Sequence, residues 1–460
     1  MLFLNMLGNT ITGSGFNRIE KMKTMSFRRL SVTAMLGVGS SIAPMVLIVF
    51  GLVQYKIIHI AGYGQVTTLY GITAGIASLA LVLLNPLGGH IGDRTRLAFG
   101  RRRFWILTGS LLGFASMLLF SASTSMLTLT LSWIGLQFFY SMVATACYSL
   151  IPEHAEERFF GRISGMVGAA TPAFVMVGSI VVMGKLSAIP VQHKILLIAV
   201  LQLGCGLLTT LLVKELPSGA PTASYGGETV IADKRHFYPS FRRYPSYTWA
   251  LLTKLFINFT NAGVSLLTLF YIARFHLNEQ DVFQLNALTS LGIIMMVGAG
   301  LAGGWLSDRI RRQKIFVIGA ALLTGLCMLC FALSHSIWFV VVSNFIFNVG
   351  FGVYNAVENA IVNRILPSKE SYAKDLAIIN VSAQLSSSLV TFVSPLIIAL
   401  GATLLGDDGY TLFFILLALL SLLSALCVIP IPEMDRQAAP AKSAGTDESI
   451  SPALHGPVRQ

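Results

Sequence analysis

Gly89-His-Ile-Gly-Asp93-Arg94 closes one long apolar run, and Gly304-Trp-Leu-Ser-Asp308-Arg309 closes another. The two aspartates are 215 positions apart (308 − 93 = 215). Pro152 and Pro367, each following a different apolar run, repeat that offset (367 − 152 = 215). The run beginning near 247 maps onto the one beginning near 32. One spacing serves three landmarks, so the chain reads as two halves of the same topology.

The composition says what kind of halves these are. Of 460 residues, 54% are apolar and only 11% charged, with a mean hydropathy of +0.73. A soluble domain carries about 25% charge. The shortfall excludes a soluble enzyme, a disordered scaffold and an extracellular disulfide module, and leaves a polytopic membrane protein. A helix needs about 20 mostly apolar residues to cross the hydrocarbon core. Twelve stretches qualify, roughly 31–55, 65–90, 104–122, 126–149, 161–183, 194–213, 247–272, 283–306, 314–334, 337–362, 375–400 and 410–430. The expected fold is an all-α membrane protein of twelve transmembrane helices, in two six-helix halves related by a pseudo-two-fold axis along the membrane normal. The expected organisation is an N-tail over 1–30, a first half over 31–213, a polar connector over 214–246, a second half over 247–430 and a disordered C-tail over 431–460.

The net charge of +12 does not point to nucleic acid, because the basic residues are scattered between apolar runs. They report orientation instead. With the N-terminus inside, the tails and inside loops hold 27 of the 32 Lys and Arg residues, and the outside loops hold only Lys56, Lys185, Lys194 and Arg274. Lys254 lies within a span. The positive-inside rule then places both termini in the cytoplasm and the protein in the cytoplasmic (plasma) membrane. The first 30 residues do not form a secretory signal, since their cations follow the short apolar run. The five cysteines all lie in apolar runs, and Cys327-x-x-Cys330 lacks a second pair or a histidine, so it reads as packing. No metal or cofactor is expected, and no P-loop, HExxH or nucleophile-elbow motif appears.

Asp93-Arg94-Thr-Arg-Leu-Ala-Phe-Gly100-Arg101-Arg102-Arg103 resembles the loop signature of major facilitator superfamily transporters: Gly, three residues, Asp-Arg, one residue, Gly-Arg-Arg. Gly89 supplies the first glycine, and four extra residues precede Gly100. The longer form is similar to that of the glycoside–pentoside–hexuronide symporters and the sucrose-transporter-like branch. The second copy, Gly304 with Asp308 and Arg309, has Arg311 where a glycine would stand. The resemblance implies alternating access about a central cavity, a sugar or glycoside as solute, and a latch made by the motif. A carboxylate such as Asp93 at a helix end can dock on a neighbouring helix N-terminus. The arginines can pair with it or bind anionic headgroups; they equally serve topology alone.

Polar residues at membrane depth are costly and call for a role. Asn344, Asn348, Asn355, Glu358 and Asn359 of the tenth span fall within an arc of about 100° at 100° per residue. The fourth span offers Gln137, Tyr140, Ser141 and Tyr148, the seventh Asn258, Asn261 and Ser265, and the eleventh Asn380, Gln384, Ser387 and Thr391. The first span has only Ser40, Ser41 and Gln54. The superfamily lines its cavity with spans one, four, seven and ten. Amides, hydroxyls and tyrosines suit a neutral, hydroxyl-rich ligand; the other use for them is helix-to-helix hydrogen bonding.

Glu358 is the one acidic residue well inside a span. A carboxylate in low dielectric tends to hold its proton, so it can carry H+ or bind Na+; the alternative is a structural pair with Lys254 or Arg364. Sugar symporters of this kind carry acidic residues in the first half, and here the first six spans have none, which leaves facilitated diffusion open. The chain reads as a monomeric transporter whose partners are the bilayer, a small solute and H+ or Na+. The rivals are an exporter of drugs or secondary metabolites, with Phe256, Phe259, Phe345 and Phe347 lining an apolar cavity, and a transporter-like sensor that moves nothing.

Overall fold

The computed structural model describes residues 25–95, 99–155, 157–214, 245–310, 312–365 and 372–431. Both tails, most of the connector and Pro367 lie outside the described residues, as do the side chains of Asp93, Arg94, Asn359, Arg364 and Asn380.

Among the described residues, twelve helices are long and apolar enough to cross a membrane. The first half holds α1 (Phe27–Ala61), α2 (Val66–Arg94), α3 (Arg101–Ala122), α4 (Met126–His154), α5 (Phe159–Lys185) and α6 (Val191–Leu212). The second half holds α7 (Pro245–Phe275), α8 (Glu279–Ile310), α9 (Gln313–Ala332), α10 (Ile337–Ile365), α11 (Tyr372–Leu405) and α12 (Tyr410–Val428). Helices are the economical answer in lipid, where every backbone N–H and C=O needs a partner within the segment. α1 begins at Phe27, inside the stretch expected to be tail. There Arg29 Nε donates to the Leu212 carbonyl at 2.7 Å and so ties the start of α1 to the end of α6.

Packing repeats between the halves. α1 lies on α4, α5 and α6, and α3 on α4 and α6. In the same way α7 lies on α11 and α12, and α9 on α10 and α12. Across the divide α2 packs on α11, and α5 packs on α8. Exchanging the halves converts one cross-contact into the other, as a two-fold axis requires.

The first helix of each half is broken at one place. In α1 the break spans Ile48–Leu52, with Phe50 at ψ 37° and Gly51 at φ 117°. That φ is open to glycine and strained for other residues. In α7 the break is a 3-10 turn at Val264–Leu266. Leu266 is the counterpart of Gly51 (266 − 51 = 215), yet it keeps an ordinary φ of −89°.

We call the side on which α2 and α8 end the motif face, and the opposite side the far face. At the far face each half closes its third helix with a cation from its first. Lys56 Nζ donates to the Ser121 carbonyl at 2.6 Å, near the end of α3. Arg274 donates to the Ala332 carbonyl at 2.8 Å, at the end of α9, and grips both oxygens of Asp408 at 2.6 Å. A positive charge at a helix C-terminus meets the negative end of its dipole. Asp407, beside it in the α11–α12 loop, sits below the usual carboxylate range. Partial burial opposes this, but hydrogen bonds from Thr411 and the Gly409 N–H and the charge of Arg274 outweigh it.

Candidate functional site

The two halves meet tightly at the far face. Thr67 and Tyr410 hydroxyls are 3.4 Å apart, Gln284 Nε2 donates to Ser187 Oγ at 3.2 Å, and Ser388 Oγ donates to the Gly75 carbonyl at 3.1 Å. Towards the motif face the contact loosens. Gly161, Gly165 and Gly168 share one helical face of α5 with Ser179, which meets α8 through a hydrogen bond to the Asn286 carbonyl at 3.4 Å. Among the described residues, nothing lies within 4 Å of a Cβ built on any of those three glycines, nor on Gly298 of α8. Along the α5–α8 seam the halves are therefore in contact at the far face and apart towards the motif face.

A recess of about 360 Å³ lies between α7 and α11, lined by Asn258, Asn261, Ala262, Ala383, Gln384 and Ser387. Three amides and a hydroxyl from two facing helices give it donors and acceptors without a net charge. Asn258 sits there because its Nδ2 bonds back to the Lys254 carbonyl at 2.7 Å, which fixes the amide one turn along α7.

Lys254 itself meets Glu358 of α10, Nζ to Oε2 at 3.2 Å. Both residues are buried, with 9% and 3% of their surface exposed. Of the two cations considered for Glu358, Lys254 is the one whose side chain is described, and it is in contact. The other carboxylate oxygen, Oε1, is buried with no hydrogen-bond partner among the described residues. An ion pair in low dielectric persists only when desolvation is offset on both sides, and here one oxygen finds no donor among the described residues.

The remaining sequence candidates divide. Gln137 is half-buried on α4. Ser141 Oγ donates to Asn85 Oδ1 of α2 at 3.1 Å, and Tyr148 is 46% exposed. Tyr140 turns the other way: its ring lies on Gly113 of α3, fully buried, with its hydroxyl unpartnered. In this structure it packs α3 against α4 and does not face the space between the halves. The face of α10 is likewise spent largely inside its own half. Asn348 Nδ2 donates to the Asn344 carbonyl at 2.8 Å and lies against Gly292 of α8, and Asn344 is 4% exposed. Asn355 is half-buried, and among the described residues none from α10 lines the α7–α11 recess. Sequence reasoning missed Asn85 and Asn286; the first sits near the motif end of α2 and the second in the polar-looking start of α8.

In the loop motif, Gly100 caps α3 at φ 104°, a left-handed setting that accounts for a glycine there. Arg101 and Arg102 reach Glu153 at the end of α4, at 2.9 and 2.7 Å. Arg103 caps α6 through the Thr210 carbonyl at 3.0 Å. Gly89, Asp93 and Arg94 occupy the last turns of α2. In the second copy, Asp308 accepts from Gln313 at the start of α9 at 3.0 Å, Arg309 lies over the Trp305 ring at 5.3 Å, and Gly304 faces Ala356 of α10.

Two six-helix bundles interlocked at one membrane face, parted at the other and holding polar side chains at membrane depth, define a solute transporter. The chain belongs to the Major Facilitator Superfamily, which it matches over residues 29–323 and 280–458. It is an integral membrane protein of a superfamily of solute transporters, which are not enzymes. No curated protein matches its sequence. Among solved structures it is similar to a D-xylose–proton symporter, with TM-score 0.70 and 14% identity over 89% of this chain and 99% of that one. It is also similar to the nucleoside transporter NupG, with TM-score 0.67 and 14% identity over 88% and 98%. A third is the xylose transporter XylE from E. coli in an inward-open conformation, with TM-score 0.64 and 13% identity over 89% and 97%. At these identities the likeness is one of fold.

Proposed function

We propose that the protein carries a sugar or glycoside across the cytoplasmic membrane by alternating access, with the motif face and both termini in the cytoplasm. The observation that carries the reading is the α7–α11 recess, where Asn258, Asn261, Gln384 and Ser387 offer amides and a hydroxyl to a neutral, hydroxyl-rich solute. Outside that recess, Gln137, Ser141 and Tyr148 of α4 and Asn355 of α10 are the further residues proposed to face the solute along the central space. The 27-to-4 division of cations supports the orientation. The extended loop before Gly100 supports the glycoside–pentoside–hexuronide or sucrose-transporter-like branch. Asp93 and Asp308, with Arg94, Arg101, Arg102 and Arg309, form the latch that holds the motif face shut in the opposite state.

Glu358 is the coupling group in this reading. Its Oε1 has no donor among the described residues while Lys254 holds Oε2, so a proton or Na+ arriving at that oxygen changes the charge on the pair. Uptake of labelled sugars into proteoliposomes, with and without a proton or Na+ gradient, tests both parts. Gradient-driven accumulation of a sugar is the expected result. Its absence for every sugar, beside efflux of hydrophobic cations, would hand the protein to the exporter reading. Glu358→Gln should abolish gradient-driven uptake and preserve exchange; unchanged accumulation would leave Glu358 a structural partner of Lys254.

A further inference from the structure

The outer part of α8 is a separate piece of helix. Glu279–Thr289 ends at a turn through Ser290 and Leu291, and the helix resumes at Gly292. Around that joint, Leu291, Ile293 and Ile294 bond back three residues rather than four, to Leu288, Ser290 and Leu291, at 3.0–3.1 Å. The short piece is wedged into the opposite half. Phe283 is fully buried, 5.1 Å from the ring of Tyr55 on α1 and 3.6 Å from the ammonium of Lys194 on α6. Ala287 lies against Gly184 of α5.

One residue of this piece bonds to three other helices. Asn286 Nδ2 donates to the Phe50 carbonyl at 2.8 Å and to Thr268 Oγ1 at 3.1 Å, and the Asn286 carbonyl accepts from Ser179 at 3.4 Å. Each partner stands at an irregularity. Phe50 lies in the break of α1, Thr268 follows the break of α7, and Ser179 opens the π-helical end of α5, Ser179–Lys185. The contact also needs a glycine beside it. A Cβ on Gly51 would come within 3.0 Å of Phe283 and 3.2 Å of Asn286.

We propose that Glu279–Thr289 is the far-face gate, that it swings as a unit about Ser290–Leu291, and that Asn286 is the latch holding it shut. The broken helices are what give the latch something to hold. A buried carbonyl in a continuous helix is already bonded, whereas a kink frees one for an outside donor. Because that donor comes from the other half, the bond closes the far face only in the present state. Opening exchanges it for water, which is the discrete two-state behaviour that switching needs. Asn286 acts here as a positioning residue and requires no contact with solute.

The test reads accessibility and needs no knowledge of the solute, so its failure is distinct from failure of the sugar reading. The full chain carrying Ala287→Cys is held in nanodiscs and labelled with a membrane-impermeant maleimide, against the background of the five native cysteines. Ala287 is 6% exposed in the closed gate and labels slowly. Asn286→Ala removes two cross-helix hydrogen bonds and should speed labelling on the order of tenfold. Thr268→Val removes one acceptor at nearly constant shape and should speed it about threefold. Thr289→Val, which loses only a bond to the Asn286 carbonyl within the same piece, should leave the rate unchanged. Unaltered labelling in both Asn286→Ala and Thr268→Val overturns the proposal, as does an equal rise in Thr289→Val. Should Asn286→Ala fail to fold, Thr268→Val decides alone: a faster rate supports the latch and an unchanged one removes it.

Discussion

The first half and the second half share one ground plan and spend it differently. Both break their leading helix at equivalent positions, but α1 uses a glycine in a left-handed setting and α7 a 3-10 turn with ordinary angles. Both tether the third helix with a cation, but Lys56 caps a carbonyl alone whereas Arg274 also grips a carboxylate. The sharpest difference is at membrane depth. Among the described residues, the only ion pair buried well within a span is Lys254–Glu358 of the second half, and the amide recess is there as well. A duplicated fold keeps its backbone rules because they are set by lipid and packing. Its polar interior is free to diverge, and the halves can specialise into a binding side and a side that moves against it.

Breaking the buried pair should produce the largest effect. Lys254→Met strands a carboxylate in low dielectric and should cost about 3–5 kcal/mol of stability, read as a drop in thermal unfolding in detergent. Adding Glu358→Gln should recover most of it. Equal losses in the single and double variants would mean that the charge does not distinguish the halves. Next comes Gly51→Ala. The backbone strain is about 1–3 kcal/mol, with the Phe283 contact added; at Leu266, whose φ is −89°, no such backbone cost exists. A variant as stable as the parent would show that the break in α1 relaxes without its glycine. The smallest effect should come from the helix-end cations. Lys56→Met and Arg274→Met should each cost about 1–2 kcal/mol, with Arg274 at the upper end because Asp408 loses its partner too. Reversal of that order would show that the Asp408 contact adds nothing.

The duplication, the twelve spans and the loop motif were legible because each is a linear pattern: an offset, a run of apolar residues, a short string. The rotation of each helix was not. Periodicity sets the angle between Tyr140 and Gln137 but not which of two neighbours their face turns to, and packing on Gly113 claimed Tyr140 for the interior of its own half. The same holds for Asn344 and Asn348, which one angular plot groups with Glu358 although they bond to each other against α8. The pairing of Glu358 with Lys254, 104 positions away, was one of two the sequence left open, since both are charges at membrane depth; only the packing of α7 on α10 chooses it. The break in α1 has no proline at its centre, and Asn286 is one polar residue among several at the start of α8. Both become meaningful only when the halves are brought together.

The tethered cations of the far face bear on how such a chain is sorted by charge. Four basic residues fall on that side, yet Lys56 and Lys194 are buried and Arg274 is drawn under Asp408, which leaves Lys185 exposed. Nascent helices would present all four to the membrane surface, while the folded far face exposes Lys185 beside the acidic Glu279, Asp281 and Asp407. In the proposed orientation, the difference in exposed basic charge between the two faces is thus steeper in the folded protein than in the nascent helices.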